Sequence, residues 1–230
     1  GGSTYGTLYN CVIRGNSAAR AAGGSSCSIL NNCALEDNVA TYYGGGADQC
    51  TLNNCTLTEN TAMYGGGAYH CTLNNSIAYG NSGSSGENVS WVTCSYSCVA
   101  PLQSGTGNVA EDPIFVSGAH IAVDSPCVGR GSVAYAVGTD IDGDAWKNPP
   151  AMGCDEPVAG VATGTLAVAI IAEGCTAEPG APLSFVSDIQ GRSTSNRWDF
   201  GDGASEANAA AVSHAWAAAG EYAVVLTAYN

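Results

Sequence analysis

Positive charge is scarce in this chain. Only 6 of its 230 residues are Lys or Arg, against 20 Asp and Glu, for a formal net charge of −14. A surface of that sign repels phosphate backbones, which excludes nucleic acid as a partner. It also repels anionic membrane surfaces and acidic polysaccharides unless divalent cations intervene. Charged residues of both signs reach only 11%, well under the usual quarter. No run of 18 apolar residues occurs, so no membrane insertion is expected. No basic segment followed by an apolar stretch opens the chain, so no secretory leader is read. Apolar stripes at i, i+4 and i+7 are missing too, which argues against helices.

What is abundant is glycine, at 31 residues, within a chain that is 45% hydrophobic. That mixture suits a turn-rich β architecture with a packed core. A unit of roughly 22 residues recurs over the first 94 positions: TLYNCVIRGN, SILNNCALEDN, TLNNCTLTEN and TLNNSIAYGN open successive copies. Equivalent positions form columns. Leu8, Leu30, Leu52 and Leu73 make one, and Ile13, Leu35, Leu57 and Ala78 another. Asn10, Asn32, Asn54 and Asn75 form a third, and Asn16, Asn38, Asn60 and Asn81 a fourth. Cys11, Cys33, Cys55 and Ser76 align, and Cys27, Cys50, Cys71 and Cys94 read as a second thiol column.

A unit this short cannot bury its own apolar face, so the copies must stack. Apolar and polar residues alternate within each copy, which is strand periodicity. The L-x-x-L-x-L signature of leucine-rich repeats is absent. Coils of short parallel strands, about 4.8 Å apart, fit best. The Leu and Ile columns then fill the interior. Asn belongs at the bends, where it tolerates left-handed backbone, and stacked amides can bond along the axis. Gly23-Gly24, Gly44-Gly45-Gly46 and Gly65-Gly66-Gly67 mark a corner with no room for side chains. Tyr43 and Tyr64 precede that corner and are expected to stack on each other, either for stability alone or as a platform for sugar rings.

Eleven cysteines would suggest a disulfide framework in a secreted chain. Stacked coils, however, separate in-register side chains by about 4.8 Å, more than the ~3.8 Å between bridged Cβ atoms. The columns therefore read as reduced, buried, small apolar residues. Cys94 and Cys98, spaced C-x3-C, fit a local disulfide or simple burial, since nothing nearby completes a zinc set. Cys127 and Cys154 are the better disulfide candidates, in a segment expected to close the end of the stack. Cys175 has no evident partner.

The coil motifs L-N-N-C-x-L-x-x-N and Y-G-G-G, followed by GN-x3-DPIF, DSPCVG, TDIDGDAW and MGCDEP, resemble bacterial right-handed β-helix surface proteins. The resemblance runs from Gly1 to about Pro157. It implies a right-handed parallel β-helix in an extracellular setting, and no particular activity. Within it, Asp140, Asp142 and Asp144 imitate the opening of a calcium loop. The bidentate Glu such a loop carries at its twelfth position is replaced by Ala151. Calcium and an ion-free acidic turn both remain open.

Residues 158–165 read as a linker. Beyond it, WDFGDG and SHAWAAAGEYAVVLTAYN resemble the PKD domain, an immunoglobulin-like β-sandwich. Trp198, Asp199, Gly201, Asp202, Gly203, His214, Gly220, Tyr222 and Val224 fall where that motif has them. The expected division is therefore 1–157 for the β-helix with its terminal region, 158–165 for the linker, and 166–230 for the sandwich. The sandwich is read as one strand short, and Gly1-Gly2 as entering mid-coil. Both predict either a segment of a longer chain or subunits completing one another head to tail.

Many polysaccharide lyases and hydrolases are β-helices. Here Arg14 and Arg20 are the only basic residues of the coils, and the acids Glu36, Asp37, Asp48 and Glu59 form no specified pair. His70, His120 and His214 are scattered. The sequence therefore predicts a non-catalytic, all-β, extracellular module for display, adhesion or self-assembly. Its partners would be itself, neighbouring domains or a polysaccharide. The alternative is the ancillary or glycan-binding part of a carbohydrate-active enzyme.

Overall fold

A computed structural model describes residues 1–158, 166–190, 193 and 195–229. The expected linker lies, from residue 159 onward, outside the described residues, as do Arg192 and Asn230. The chain divides into two units, Gly1–Ala159 and Gly160–Asn230.

The first unit is a parallel β-solenoid whose coils contribute one short strand to each of four sheets. One sheet stacks Thr7–Tyr9, Ile29–Asn31, Thr51–Asn53, Thr72–Asn74 and Thr93–Ser95. The next stacks Val12–Arg14, Ala34–Glu36, Thr56–Thr58, Ile77–Ala78 and Cys98–Val99. A third holds Ser17–Ala18, Val39–Ala40, Thr61–Tyr64 and Ser82–Ser85, and a fourth runs from Ser3–Thr4 to Val89–Ser90.

Strand alternation decides what fills the interior. Leu30, Leu52 and Leu73 point inward from the first sheet, and Ile13, Leu35, Leu57, Ala78 and Val99 from the second. The opposite walls supply Ala40 and Ala62, and Ala47, Ala68 and Val89. Large residues on two walls thus meet small ones on the other two, and the bore is packed. Each buried Leu contributes about 1.5–3 kcal/mol.

The bends are left-handed. Asn10, Asn32, Asn54 and Asn75 hold φ of 50, 54, 48 and 48°, a region Asn tolerates better than most residues. At the glycine corner the coils touch. A Cβ on Gly45 would lie 2.4 Å from the carbonyl oxygen of Gly66, so only glycine fits.

The other asparagine column is an internal ladder. The Oδ1 atoms of Asn38, Asn60 and Asn81 each accept the backbone N–H and the Nδ2 of the preceding Asn, at 2.9–3.1 Å. Their Nδ2 groups also donate to the carbonyls of Ile13, Leu35 and Leu57 at 2.8–2.9 Å. Asn88 Oδ1 receives Asn81 in the same way. Buried amides are thereby saturated, as they must be.

Register corrects the second thiol column. Leu73 pairs with Cys94, so Cys94 occupies the leucine column. Ser26 pairs with Asp48, which places Cys27 level with Gln49 at an outward corner. A one-residue slip between coils would turn every side chain to the other face. What remains is Ser28, Cys50 and Cys71 in one column and Cys33, Cys55, Ser76 and Ser97 in the other. Each accepts or donates alike. Ser28 N–H meets Cys50 Sγ at 3.4 Å and Cys50 N–H meets Cys71 Sγ at 3.3 Å. Cys55 N–H meets Ser76 Oγ at 3.1 Å. Each thiol or hydroxyl also donates to the carbonyl two residues back, as in Cys33 to Asn31 and Ser76 to Asn74. Serine and reduced cysteine are therefore interchangeable corner caps.

Residues 113–157 do not close the end of the stack. They fold back along its side and cover the outer face of the second sheet. Ile77 and Cys98 pack beneath Ile121, Cys127, Ala151 and Met152, and Ala34 beneath Ala119 and Cys154. The corner asparagines hold this cover by its main chain: Asn32 Nδ2 donates to Val137 and Thr139 carbonyls at 2.8 and 2.7 Å, and Asn75 Nδ2 to that of Ser132 at 2.7 Å.

The second unit contains two antiparallel three-stranded sheets. Leu183–Gln190 lies between Ala167–Ala172 and Ala211–His214, and Ser195–Asp199 between Ser205–Ala207 and Val225–Tyr229. Trp198, Phe200, Phe185 and Val212 form its buried core, with Tyr222, Val224 and Leu226 half-buried. Gly201 and Gly203 take φ of 76 and 93° in the tight turn. Asp202 Oδ1 accepts Ala204 N–H at 3.0 Å, and its Oδ2 sits 2.8 Å from His214 Nε2.

Two outcomes follow. Ser76→Ala strips the acceptor from the buried Cys55 N–H and should cost about 1–3 kcal/mol. Ser76→Cys should cost less, with urea unfolding as the measure. The Ala204 N–H, with His214 adding to it, holds the Asp202 carboxyl below its ordinary value. That contribution is present above the unfolded carboxyl pKa and is lost as pH falls through the folded one. Asp202→Asn should remove this part of the acid sensitivity of the second unit, read by tryptophan fluorescence against pH.

Candidate functional site

On the fourth sheet Ser25, Ala47, Ala68 and Val89 point inward, so Ser26, Asp48, Tyr69 and Ser90 point out. The next position is a left-handed corner in every coil. Tyr5, Cys27, Gln49, His70 and Trp91 hold φ of 49–55°, which turns their side chains outward. Across the glycine corner run Ala21, Tyr43 and Tyr64, joined by parallel bridges. Small residues of the early coils, Ala21 and Ser26, leave space between these columns. The result is a groove of about 780 Å³ lined by Arg20, Tyr43, Asp48, Gln49, Tyr69 and His70.

Its wall is aromatic. Tyr43 and Tyr64 stack with centroids 5.6 Å apart and planes at 23°, while Tyr69 meets Tyr43 at 4.8 Å. His70 and Trp91 stack at 5.9 Å and 5°. Of the two tyrosines singled out as a sugar platform, Tyr43 lines the groove, whereas Tyr64 lies beside it as a stacking partner.

Its floor is polar. Asp48 is 94% buried as a residue, at 6% relative exposure, and its Oδ1 has no hydrogen-bond partner. Burial pushes its carboxyl pKa up, and His70 pulls the other way. A buried acceptor without a donor is costly to the fold. Sequence reasoning missed this constellation because Arg20, Asp48 and His70 belong to three coils and no repeated motif.

The three aspartates read as a calcium loop do not converge. Asp140 is fully buried and fully used by the main chain. Its Oδ1 accepts Asp142 and Asp144 N–H at 2.9 and 2.7 Å, and its Oδ2 accepts Glu156 N–H at 2.9 Å. Burial raises it to about 6, against the pull of those donors. Asp140 is thus the staple of a turn. Asp142 reaches away to His120, whose Nε2 lies 3.3 and 3.2 Å from its two oxygens. Asp155, whose Oδ2 accepts Ile121 N–H at 2.9 Å, joins them.

The disulfide candidates are not brought together as paired in the sequence reading. Cys94 points into the bore and Cys98 out of it, on different sheets. Cys127 packs with Cys98, while Cys154 sits in a separate cluster with Ala34 and Ala119. All eleven cysteines are free thiols, and Cys175 is exposed. Burial pushes Cys55, Cys71 and Cys154 well above the ordinary thiol range, where reactivity is low. Alkylation of the native protein should therefore mark Cys175 at once. Cys55, Cys71 and Cys154 should react only after denaturation, as peptide mapping will report.

The second unit has its own cavity of about 580 Å³, lined by Phe185, Trp216 and Tyr222 together with Cys175, Glu178 and Glu221. Among the described residues, these groups do not converge as those at His120 do.

Comparison with known proteins bears on the second unit. The family model of the PKD domain matches residues 167–230. No curated protein and no solved structure matches the chain. The chain is all-β, a parallel β-solenoid of about four turns followed at residues 167–230 by a PKD domain.

Proposed function

We propose that this chain is a non-catalytic module of the cell exterior, in which the solenoid adheres to a neutral polysaccharide and the PKD domain acts as a spacer. PKD domains typically occur in extracellular and surface proteins. The observation that carries the adhesive part is the groove beside the glycine corner. It combines aromatic rings, the Gln49 amide and a buried Asp48 oxygen awaiting a donor. Sugar rings pair an apolar face with hydroxyl edges, and this arrangement answers both. The net charge of −14 selects against acidic polymers.

The absence of a second carboxylate among the groove-lining residues weighs against glycoside hydrolysis. That chemistry takes two carboxyl groups about 5–9.5 Å apart, and Asp48 is the one acid lining this groove. Arg20 and His70 therefore serve as hydrogen-bond donors to ligand in this reading.

Affinity electrophoresis against soluble β-glucan, mannan, xylan and polygalacturonate tests it. Retardation by at least one neutral polymer, and none by polygalacturonate, is expected. Asp48→Asn should weaken that binding roughly ten- to hundred-fold, from the about 1.5–3 kcal/mol of a hydrogen bond to a charged group. The same change should leave thermal stability equal or higher, because it removes a buried charge. Indifference to all neutral polymers, or release of reducing ends from any of them, would sink the proposal.

A further inference from the structure

The segment that covers the solenoid carries a cluster that the groove does not use. His120, Asp142 and Asp155 each present one ligand-type atom, all within 4.8 Å of one another. His120 comes from the short hairpin Phe115–Ile121, Asp142 from the acidic turn and Asp155 from the chain that returns to the coils. Their side chains are held from behind. Ser117 carbonyl lies 2.9 Å from His120 Nδ1, so Nδ1 carries the proton and Nε2 faces the carboxylates with its lone pair or a second proton. Ile121 N–H fixes Asp155, and Asp140 fixes the backbone of Asp142. Orienting bonds of this kind are the second layer of metal sites.

Distance separates the two ways of filling that gap. An imidazolium bonded directly to a carboxylate closes to about 2.7–2.9 Å. His120 Nε2 stands 3.3 and 3.2 Å from the Asp142 oxygens. Two ligands of a tetrahedral ion with bonds of about 2.0–2.1 Å lie about 3.3 Å apart. The His120–Asp142 separation leaves room for a coordination edge, and Asp155 offers its atom within 4.8 Å of both. Charge argues the same way: the carboxylates of Asp142 and Asp155 face one imidazole, and both side chains are nearly or wholly buried. A divalent cation would balance them.

We propose that His120 Nε2 and the carboxylates of Asp142 and Asp155 bind one divalent transition-metal ion of the zinc class, with water as a further ligand. One imidazole with two carboxylates suits zinc better than calcium, which takes six to eight oxygens. Because the three ligands come from three stretches of the cover, the ion would fasten those stretches to each other above the second sheet. The site is independent of the polysaccharide reading, since none of its residues lines the groove.

The test uses the full chain carrying Cys175→Ser, freed of metal with a chelator and kept reduced. Cobalt(II) titration, followed by visible absorption, is expected to give ligand-field bands that saturate at one ion per chain and are displaced by zinc. The chelated chain should melt at a lower temperature than the zinc-loaded one. His120→Gln should weaken binding more than ~10-fold, and Asp144→Asn should leave it unchanged. Should His120→Gln lose its native circular dichroism, the parent decides instead. Zinc must then move the ring signals of His120 and leave those of His70 and His214 in place. The proposal is overturned by lack of binding, by thiolate-to-cobalt charge-transfer bands, by calcium displacing cobalt at equal concentration, or by ring signals of His120 that stay put.

Discussion

The register between coils is the constraint on which everything else in the solenoid depends. A strand presents alternate faces, so a slip of one residue would empty the bore of leucine and expose it. The internal asparagine ladder prevents that slip. Asn38, Asn60 and Asn81 each receive two donors from the coil before and pass a donor to an inward-facing strand carbonyl. Shifted by one, those buried amides would face leucine or solvent, each at a cost comparable to a lost buried hydrogen bond. The leucine column supplies most of the burial, and the ladder makes that burial specific to one alignment.

Once the register is fixed, the outer surface follows. One corner collects glycine because the coils touch there, and the positions flanking it stand free of the packing. That is where Tyr43, Asp48, Tyr69 and His70 come to line a groove. Another corner collects left-handed asparagines, whose outward amides seize the main chain of the covering segment. The same residue type thus performs two tasks, interior ladder and exterior clasp, set only by whether its column points in or out.

Much of this was legible in the sequence. Leu30, Leu52 and Leu73, and Gly23, Gly45 and Gly66, declare their columns because the packed bore and the corner where coils touch favour one residue type each. Trp198 and the GDG turn at Gly201–Gly203 declare the PKD domain in the same way. Cysteine misled because it is tolerated in three environments. Cys50 caps a corner, Cys94 replaces a leucine and Cys27 faces outward, yet their similar spacing aligns them in one apparent column. The covering segment carries no repeat to reveal where it lies, so its sequence points to an end closure instead. The groove and the His120 cluster were not legible at all. Each is assembled from residues of separate coils or loops, and proximity of that kind exists only after folding.

Amide hydrogen exchange of the parent chain, with and without a saturating neutral polysaccharide, tests the central claim most directly. The slowest amides should be those of the ladder, Asn38 and Asn60, and ligand should add protection around Tyr43, Asp48, Gln49, Tyr69 and His70. Ligand-induced protection confined to residues 167–230, or ladder amides exchanging as fast as the exposed turns, would contradict it.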